Sequence, residues 1–458
     1  MYDVLIVGGG ASGAALLHVL ANYTNIGRLG LVEKYPEAGQ VNSKASNNSQ
    51  TLHVGDIETN YSIEKVKTVY PAAMMLARYA EQLPVVQRDS FLFPMPKMVI
   101  GVGETEVREL ETRFQALKGI FPALRLLTRE EIAVREPNIV KGRDPAIPLT
   151  AIAADGFAVD FEQLAKILIG NVKRDHPQTD VFFSHQVERI AKTEQGYELH
   201  FTNGKTLQTR VLVVDADSYS LLLAKQLGYG TEFSLIPIAG NFYFSAPLLN
   251  GKVYTVQEPK LPFAAVHGDP DVRMPGKTRW GPTARFHPVL EARNMRTSLD
   301  FLASSGLNRL QTWFSFAAIL LDPVRFFYLL ENMLYELPLV GTWMFLKHVR
   351  KIVPTIRFSD VTLARGYGGM RLQRVDTRTR ELLLGEGKIV GDRAIFNMTP
   401  SPGASVCLYN AMRDASLVVK FLEDGSRFDE TRLKRELYAP LDGAGDSQDT
   451  SLKSSYAS

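Results

Sequence analysis

The N-terminal segment carries the residue types and spacing of a dinucleotide-binding turn. The motif G-x-G-x-x-G follows the apolar run "YDVLIV" and precedes the helical stretch "AALLHVLANY". Glycines in such a motif permit a tight turn, let the backbone approach a pyrophosphate and let the helix pack closely on the strand. The helix N-terminus then presents N–H groups and a positive dipole end to the phosphates. We predict cofactor contacts from Gly8, Gly10, Ala11, Ser12 and Gly13.

An acidic residue ends the next apolar run, "LGLVEK". Glu33 stands twenty residues after Gly13, where a carboxylate can accept hydrogen bonds from ribose hydroxyls. The same carboxylate would repel a 2′-phosphate, so NADP is disfavoured, while FAD and NAD both stay open on this motif alone. Lys34, beside Glu33, is a further predicted cofactor contact.

Composition excludes several classes of function. The 458-residue chain has a formal net charge of +3, which gives no polyanion-binding signature and makes nucleic acid a poor ligand. Its single cysteine, Cys407, allows neither an internal disulfide nor a Cys-based zinc cluster, and we predict no metal site. No signal-peptide pattern is visible, and the apolar stretches are shorter than the ~18 residues that a spanning helix needs. We expect a cytoplasmic protein that does not cross a membrane.

Two later regions bear on the fold and the cofactor. Between residues 187 and 214, strands of alternating polarity are separated by turn sequences, the pattern of a β-meander. Near the C-terminus, "KIVGDRAIFNMTPSPGAS" and the stretch after it predict a second strand, Gly-rich turn and helix. Together with the first motif they favour an α/β protein whose Rossmann-like FAD-binding domain is discontinuous in sequence, beside a second, sheet-based domain with helical insertions. The segment "LPVVQRDSFLFPMPKMVIGVG" (83–103) predicts strands punctuated by proline.

Several separated motifs follow one another along the chain: "DVLIVGGGASGAALLHVL", "NNSQTLHVGDIETNY", "FAAVHGDPDVR" with "GKTRWGPTAR", "GYGGMRLQ" and "IFNMTPSPGAS". In this order they resemble the FAD-dependent malate:quinone oxidoreductases. The resemblance runs from residue 2 to about residue 425, and it extends more distantly to L-2-hydroxyglutarate oxidases and D-amino-acid-oxidase-type enzymes. It implies oxidation of (S)-malate to oxaloacetate as in the tricarboxylic acid cycle, electron transfer to a quinone, and peripheral association with the inner face of the cell membrane.

Oxidation of a 2-hydroxy acid needs a base for the hydroxyl proton, an acceptor for the C2 hydrogen and cations for the carboxylates. The resemblance implies that His267 is the base, oriented by Asp269 or Asp271, and that His53 lies at the reactive edge of the flavin as a polarising group. A neutral imidazole can accept the hydroxyl proton at physiological pH. The opposite assignment of the two histidines stays open.

Arginine is the expected ligand of the substrate carboxylates, because its planar fork binds a carboxylate through two hydrogen bonds. Arg371, after "GYGG", resembles the arginine that clamps the substrate in this family. The second carboxylate of malate would take Arg273 or Arg279. Leu372 departs from the family pattern, which has proline there.

A polar run at residues 46–61 and a C-terminal turn complete the implied cofactor site. In the resembling enzymes the polar loop wraps the adenosine and diphosphate and then crosses the flavin face, and the turn offers helix N–H groups to the flavin oxygens. Asp215 and Asp217 stand where relatives have small residues. The contacts implied here are Ser43, Asn48, Ser49, Gln50, Thr51, Val187, Gly403, Ala404 and Ser405.

The predicted domains follow from these placements. The FAD-binding domain comprises 1–85, 150–222 and 365–435, the substrate domain comprises 86–149 and 223–364, and 436–458 is a disordered tail. Residues 302–353 mix aromatic and basic side chains, which suits either helices in a bilayer interface or a buried helical subdomain. Two rival functions stay open: an oxidase of L-2-hydroxyglutarate or another 2-hydroxy acid, and a flavin-binding protein without catalysis.

Overall fold

The computed structural model describes residues 1–257, 266–335, 339–383, 386–398 and 402–438. Within these ranges the chain forms fourteen α-helices and twenty-two strands, and the strands assemble into four sheets. The helices are Ala11–Tyr23, Ile63–Glu81, Val85–Phe91, Glu104–Leu117, Arg129–Arg135, Pro137–Val140, Phe161–Asp175, Ser218–Gln226, Ser298–Ser305, Leu310–Leu320, Pro323–Leu334, Val340–Ile352, Cys407–Leu422 and Glu430–Leu437.

The first sheet is built around the N-terminal strand Tyr2–Val7, which pairs in parallel with Leu29–Val32 on one side and Thr206–Val214 on the other. Apolar side chains are buried on both of its faces because helices cover each face, as parallel sheets require. This is the predicted Rossmann-like arrangement, and Thr206–Val214 is also the last strand of the predicted meander. Across the sheet the strands run Gly387–Gly391, Ala394–Met398, Thr206–Val214, Tyr2–Val7, Leu29–Val32 and Asp180–Phe182, with Gly196–Phe201 and Val187–Thr193 extending from Thr206–Val214.

Two further large sheets and a separate two-stranded pair account for the remaining strands. The second sheet is mostly antiparallel and the third is antiparallel throughout the described residues. In spatial order, the strands of the second sheet are Thr362–Leu363, Tyr243–Ser245, Thr278–Gly281, His267–Pro270, Lys252–Thr255, Lys97–Val102, Leu149–Ala154 and Arg125–Leu127. Those of the third sheet are Arg285–Phe286, Phe233–Ala239, Met370–Asp376 and Glu381–Leu383. In the two-stranded pair, Leu92–Pro94 pairs with Phe157–Val159.

One predicted strand segment is a helix. Residues 83–103 do contain the strands Leu92–Pro94 and Lys97–Val102, but Val85–Phe91 is helical, so the prediction was wrong there. Val85 and Val86 favour strands through their β-branching, yet both are exposed in the first turn after Pro84. Local propensity is a weak preference that the tertiary context overrides, and here the segment is helical with only Phe91, its last residue, buried.

Sheet pairing crosses two predicted domain boundaries. The strand Leu149–Ala154, which the boundary at 150 divides, pairs with Lys97–Val102 in the second sheet. Met370–Asp376, predicted in the FAD-binding domain, pairs along its whole length with Phe233–Ala239 in the third sheet. At the C-terminus the helix Glu430–Leu437 includes the first two residues of the predicted tail, whereas 439–458 lie outside the described residues.

Candidate functional site

A cavity of about 520 Å³ opens where the parallel strands of the first sheet end, and it extends to the third sheet. Val7 and Val32, the last residues of two adjacent strands, line one end. Ile238 and Arg371, which face each other across the third sheet, line the other. Ligands of open α/β sheets bind in this crevice, and the volume is typical of a small-molecule site.

Two glycines of the N-terminal turn stand where a Cβ would collide with the backbone. Gly8 has φ +114°, and a Cβ there would collide with the carbonyl oxygen of Asp215. A Cβ at Gly13 would collide with the carbonyl oxygen of Gly8. The residues of this turn that line the cavity are Gly8, Gly10, Ala11 and Ser12, whereas Gly13 packs the helix on the strand outside the lining.

Ser43 and Glu33 complete the nucleotide end. The Ala11 N–H donates to Ser43 Oγ at 3.0 Å, so a side chain from the next segment satisfies the first helix N–H. Glu33 accepts from the N–H groups of Gly9 and Tyr35 at 2.7 and 2.9 Å. Burial raises the pKa of Glu33, while these two bonds favour its carboxylate form. A carboxylate accepts about four hydrogen bonds, so capacity for ribose hydroxyls is left.

Lys34 and Val187 lie on the cavity lining beside Glu33. Lys34 pairs with Glu291, and its ammonium lies 3.9 Å from the centre of the Tyr219 ring. Both predicted contacts are therefore placed at the same end of the cavity as the glycine turn.

The polar run is a backbone segment whose carbonyl groups are held by cations from the second sheet. Arg279 donates to the carbonyl oxygens of Asn48 and Ser49 at 3.1 and 2.9 Å, and Lys252 donates to that of Ser49 at 3.0 Å. Both cations pair with the fully buried Asp269. Although burial acts to raise it, the pKa of Asp269 is lowered by these two charges. An irregular buried segment needs such partners, because each carbonyl left unpaired would cost free energy.

Amide side chains hold the same segment from within. Asn48 Nδ2 donates to three backbone carbonyls between residues 42 and 44. Gln50, fully buried with φ +52°, donates to the Ala45 carbonyl and accepts from the Val272 N–H. Gln50 therefore supports the loop from beneath and does not line the cavity. Of the predicted loop contacts, those on the lining are Ser43, Asn48, Ser49 and Thr51.

His53 lines the cavity and is held by three contacts. Its backbone N–H donates to Ser405 Oγ at 3.1 Å, its Nδ1 lies 2.8 Å from Glu58 Oε1, and its Nε2 lies 3.2 Å from Ser49 Oγ. Burial acts to raise the pKa of Glu58, but the hydrogen bond and charge of His53 and the charge of Lys97 outweigh it, and the pKa is about 2. Sequence analysis missed Glu58, although an acid five residues after a candidate histidine was a visible signal.

Arg371 projects from the third sheet into the cavity. The preceding Gly368 and Gly369 let the chain pass against the polar segment: the Gly368 N–H donates to the Ser46 carbonyl, and a Cβ at Gly369 would collide with the carbonyl oxygen of Asn47. Within the described residues Arg371 forms no ion pair. Burial lowers its pKa, against attraction to the hydroxyls of Tyr328, Tyr61 and Tyr254.

The C-terminal turn reaches the same cavity from the far end of the chain. Pro402, Ala404 and Ser405 line it, and the helix Cys407–Leu422 begins two residues later. Gly403 is buried in the turn and lies outside the lining. Residues 399–401 of the motif fall outside the described residues.

Asp215 and Asp217, the departures from the family pattern, both line the cavity. Asp215 accepts a 2.9 Å hydrogen bond from Asn397, whose amide also donates to Asp414. Burial, with repulsion from Asp414, raises the pKa of Asp215 to about 7, against the Asn397 bond and the charge of Lys388. Asp217 has φ +46° and accepts a hydrogen bond from Asn42.

The sequence model that describes the malate:quinone oxidoreductase (Mqo) family matches residues 1–414. The chain belongs to this family. A probable malate:quinone oxidoreductase of Campylobacter jejuni is 39% identical over 447 residues, covering 95% of this chain and 99% of the relative. A malate:quinone oxidoreductase of Helicobacter pylori is 38% identical over 445 residues, covering 95% and 98%. Among solved structures, L-alpha-glycerophosphate oxidase of Mycoplasma pneumoniae with FAD bound superposes with a TM-score of 0.65 at 18% identity, covering 91% of this chain and 94% of that one.

Membership in the malate:quinone oxidoreductase family makes the chain an FAD-dependent oxidoreductase. The residues present fit that cofactor. A helix N-terminus and a turn that excludes a Cβ at Gly8 and Gly13 stand where a diphosphate needs backbone N–H groups, and the buried Glu33 carboxylate stands where a ribose needs acceptors. The predicted family, fold class and cofactor are confirmed.

Three residues predicted for catalysis or substrate binding lie outside the cavity lining. His267 is fully buried in the second sheet, stacked on Tyr254 at 4.6 Å between ring centres, with Nε2 3.4 Å from Asp269 Oδ1. Arg279 is the fully buried loop support described above. Arg273 pairs with Asp160 at the start of another helix. His53 and Arg371 are thus the predicted catalytic residues that the fold brings into one cavity.

The helical region 298–352 carries an unusual share of exposed apolar side chains. Of the 25 large apolar side chains exposed among the described residues, 14 lie between 299 and 343. In the helix Val340–Ile352, Trp343, Lys347 and Arg350 share the exposed face. No helix within the described ranges is long and apolar enough to cross a membrane. The aromatic ones among the 14 are Trp313, Phe314, Phe326, Phe327 and Trp343.

Proposed function

We propose that this chain oxidises (S)-malate to oxaloacetate and passes the electrons to a membrane quinone. Family membership over residues 1–414 carries the proposal. The cavity supports it, because it joins a nucleotide-binding turn to a histidine and an arginine. FAD, when bound, supplies the acceptor for the hydrogen that leaves C2 of the substrate.

His53 is the base in this proposal, in place of His267. It lines the cavity, and its imidazole is already paired with a carboxylate, the arrangement that suits a proton acceptor. His53 Nε2 takes the hydroxyl proton as the C2–H bond breaks and the C2–O bond becomes a carbonyl. The His53 ring then becomes an imidazolium, whose positive charge the Glu58 carboxylate stabilises.

Arg371 binds a substrate carboxylate. A partly buried guanidinium with no ion pair in the described residues, aimed into the cavity, has the charge and planar geometry for this task. The hydroxyls of Tyr61, Tyr254 and Tyr328 attract it but stay neutral, because burial raises the pKa of each. Arg273 and Arg279 are left out of the proposal because ion pairs hold them away from the lining.

The proposed FAD site follows the cavity lining. Gly13, Gln50 and Gly403 shape the backbone of the site, and Ala404 and Ser405 lie near the N-terminus of the helix Cys407–Leu422, where negative charge is favoured. The residues proposed to contact FAD are Gly8, Gly10, Ala11, Ser12, Glu33, Lys34, Ser43, Asn48, Ser49, Thr51, Val187, Ala404 and Ser405.

We further propose that the exposed apolar helices of 298–352 lie on the cytoplasmic face of the cell membrane, where the quinone is dissolved. Exposed aromatic side chains of this number are costly in water, and they suit the boundary between headgroups and acyl chains. Lys347 and Arg350 on the face of Trp343 supply the charge that anionic headgroups attract.

An anaerobic titration of the purified protein tests the reaction. The flavin absorbance is followed as (S)-malate, 2-hydroxyglutarate or lactate is added, and selective bleaching by (S)-malate is the expected result. Bleaching by 2-hydroxyglutarate alone would transfer the mechanism to the rival substrate. A bound flavin that no hydroxy acid bleaches would support the binding protein without catalysis. Adding a quinone or oxygen to the reduced protein then identifies the acceptor by the faster reoxidation.

A further inference from the structure

Glu58 and His53 lie at the two ends of a tight loop beside the cavity. Glu58 Oε1 faces His53 Nδ1 at 2.8 Å, and Glu58 Oε2 accepts the Gly55 N–H at 2.8 Å. The carboxylate is thus fixed through both oxygens, one to the imidazole and one to the backbone between them. Neither side chain is more than 14% exposed, so water competes little for these bonds.

The surrounding residues fix the loop itself. Arg113 donates to the carbonyl oxygens of Glu58 and Tyr61. The adjacent Asp56 forms a buried ion pair with Lys97 of the second sheet at 2.8 Å. Ser405 holds the His53 backbone from the other side. Glu58 therefore has little freedom to rotate away from the ring.

These contacts decide which ring nitrogen carries the proton. The Glu58 carboxyl has a pKa of about 2 and is ionised at any working pH, so it can only accept hydrogen bonds. Nδ1 must then be the donor, which leaves the lone pair of the neutral imidazole on Nε2. In the structure Nε2 lies 3.2 Å from the Oγ of Ser49, and both residues line the cavity.

We propose that Glu58 is the positioning residue of the reaction: it holds His53 in the Nδ1–H tautomer so that Nε2 faces the substrate hydroxyl, and it stabilises the imidazolium that forms. The proposal rests on the proposed function in its choice of His53 as base. The proton moves from the substrate oxygen to Nε2, the Nδ1 proton stays between ring and carboxylate, and Glu58 is not protonated at any step. A carboxylate serves a catalytic histidine in this way in other enzymes.

A second role for Glu58 would be purely structural, as the acceptor that closes the turn at Gly55. Two readouts separate the roles. The first is the tautomer of His53, measured by ¹⁵N NMR of the full-length, FAD-loaded protein labelled at its eight histidines, with His53→Gln to assign the signal. The second is the division of any rate loss between kcat and KM.

In the wild-type protein at mildly alkaline pH, the His53 signals are expected to show a protonated Nδ1 and an unprotonated Nε2. An Nε2–H tautomer there would overturn the proposal without any variant. In Glu58→Gln, whose amide can also donate, the tautomers are expected to mix, kcat for malate to fall about 100-fold or more, and KM and FAD content to change little. Glu58→Asp, which keeps the negative charge, is expected to recover part of kcat.

Glu111→Gln, at an exposed position of the helix Glu104–Leu117, is the matched control and should equal the wild type. If Glu58→Gln keeps the wild-type tautomer and a kcat within threefold of the wild type, Glu58 only closes the turn and the proposal is wrong. A wild-type protein that malate does not reduce would instead refute the proposed function. The NMR result would still decide the role of Glu58, because it needs no substrate.

Discussion

The Ser405 hydroxyl accepts a 3.1 Å hydrogen bond from the backbone N–H of His53, although 352 residues separate the two in sequence. The same hydroxyl lies 3.3 Å from the Thr51 carbonyl oxygen, to which it donates. One side chain of the C-terminal turn thus holds two residues of the polar segment by hydrogen bonds. The site is therefore closed by the turn that follows Ala394–Met398, the last strand of the first sheet in chain order.

Replacing this hydroxyl should loosen the site. In Ser405→Ala the His53 N–H loses its acceptor, and an unpaired buried donor costs about 1–3 kcal/mol. We expect a lower free energy of unfolding by that amount and faster loss of FAD, measured by denaturant unfolding and by flavin fluorescence after dilution. Ser416→Ala is the control, because its hydroxyl bonds only the Met412 carbonyl within its own helix. Equal effects of the two substitutions would mean that the link to His53 stabilises nothing.

Arg371→Lys should impair substrate binding more than its retained charge suggests. Lysine cannot reproduce the two parallel hydrogen bonds of the guanidinium fork, and a hydrogen bond to a charged group is worth about 1.5–3 kcal/mol. The expected loss in kcat/KM for malate is about 10- to 100-fold, with FAD content unchanged, in steady-state assays. Arg378→Lys, on an exposed turn after the same strand, should have no effect. Wild-type kcat/KM in Arg371→Lys would remove this residue from the substrate site.

Charge placed on the exposed aromatic helices should detach the protein from membranes. Trp313, Phe327 and Trp343 are 56%, 65% and 68% exposed, and burying such a side chain gains about 1.5–3 kcal/mol. Their combined replacement by glutamate should lower binding to anionic vesicles at least tenfold in flotation assays, while malate still bleaches the flavin. In the control variant, Val86 and Val134, which are 84% and 85% exposed on other helices, are replaced by glutamate. Equal vesicle binding by both variants would refute the proposed membrane face.

Asp215→Asn should stabilise the protein in a pH-dependent way. The folded-state pKa of about 7 lies above the ordinary value of 3.8, so stability is lost as pH rises between these values and the full cost is present above 7. The melting temperature of Asp215→Asn should therefore exceed that of the wild type at pH 8, and the difference should shrink towards pH 4. Both proteins are compared with FAD bound.

Asp424→Asn provides a control of opposite sign for this experiment. Hydrogen bonds from Ser426 and Arg210 lower the pKa of Asp424 to about 2. Its replacement should lower the melting temperature at pH 8, and that effect should fade as pH falls through the folded-state pKa. A gain in melting temperature that does not change with pH in Asp215→Asn would show that folding does not raise the pKa of Asp215.

Much of the nucleotide end was readable from sequence because its determinants are local. Gly8, Gly10 and Glu33 lie within one strand–helix–strand unit, and the backbone geometry that such a unit imposes fixes their relative positions. The meander strands likewise follow from short-range patterns of apolar residues. The helix at Val85–Phe91 was missed because the β-branched Val85 and Val86 favour a strand, and this local preference is weak enough for the tertiary context to override it.

The sequence by itself determined the fold class, the cofactor and the family of this protein, since each depends on motifs whose residues are neighbours along the chain. Only the tertiary structure decided which side chains share a cavity. It placed Arg371 and His53 on the lining of one cavity and drew His267 and Arg279 into a buried ion-pair network, although all four stand in equally suggestive motifs. The physical reason is that sheet pairing between distant strands, together with the demand that buried carbonyls and charges find partners, sets the direction of each side chain.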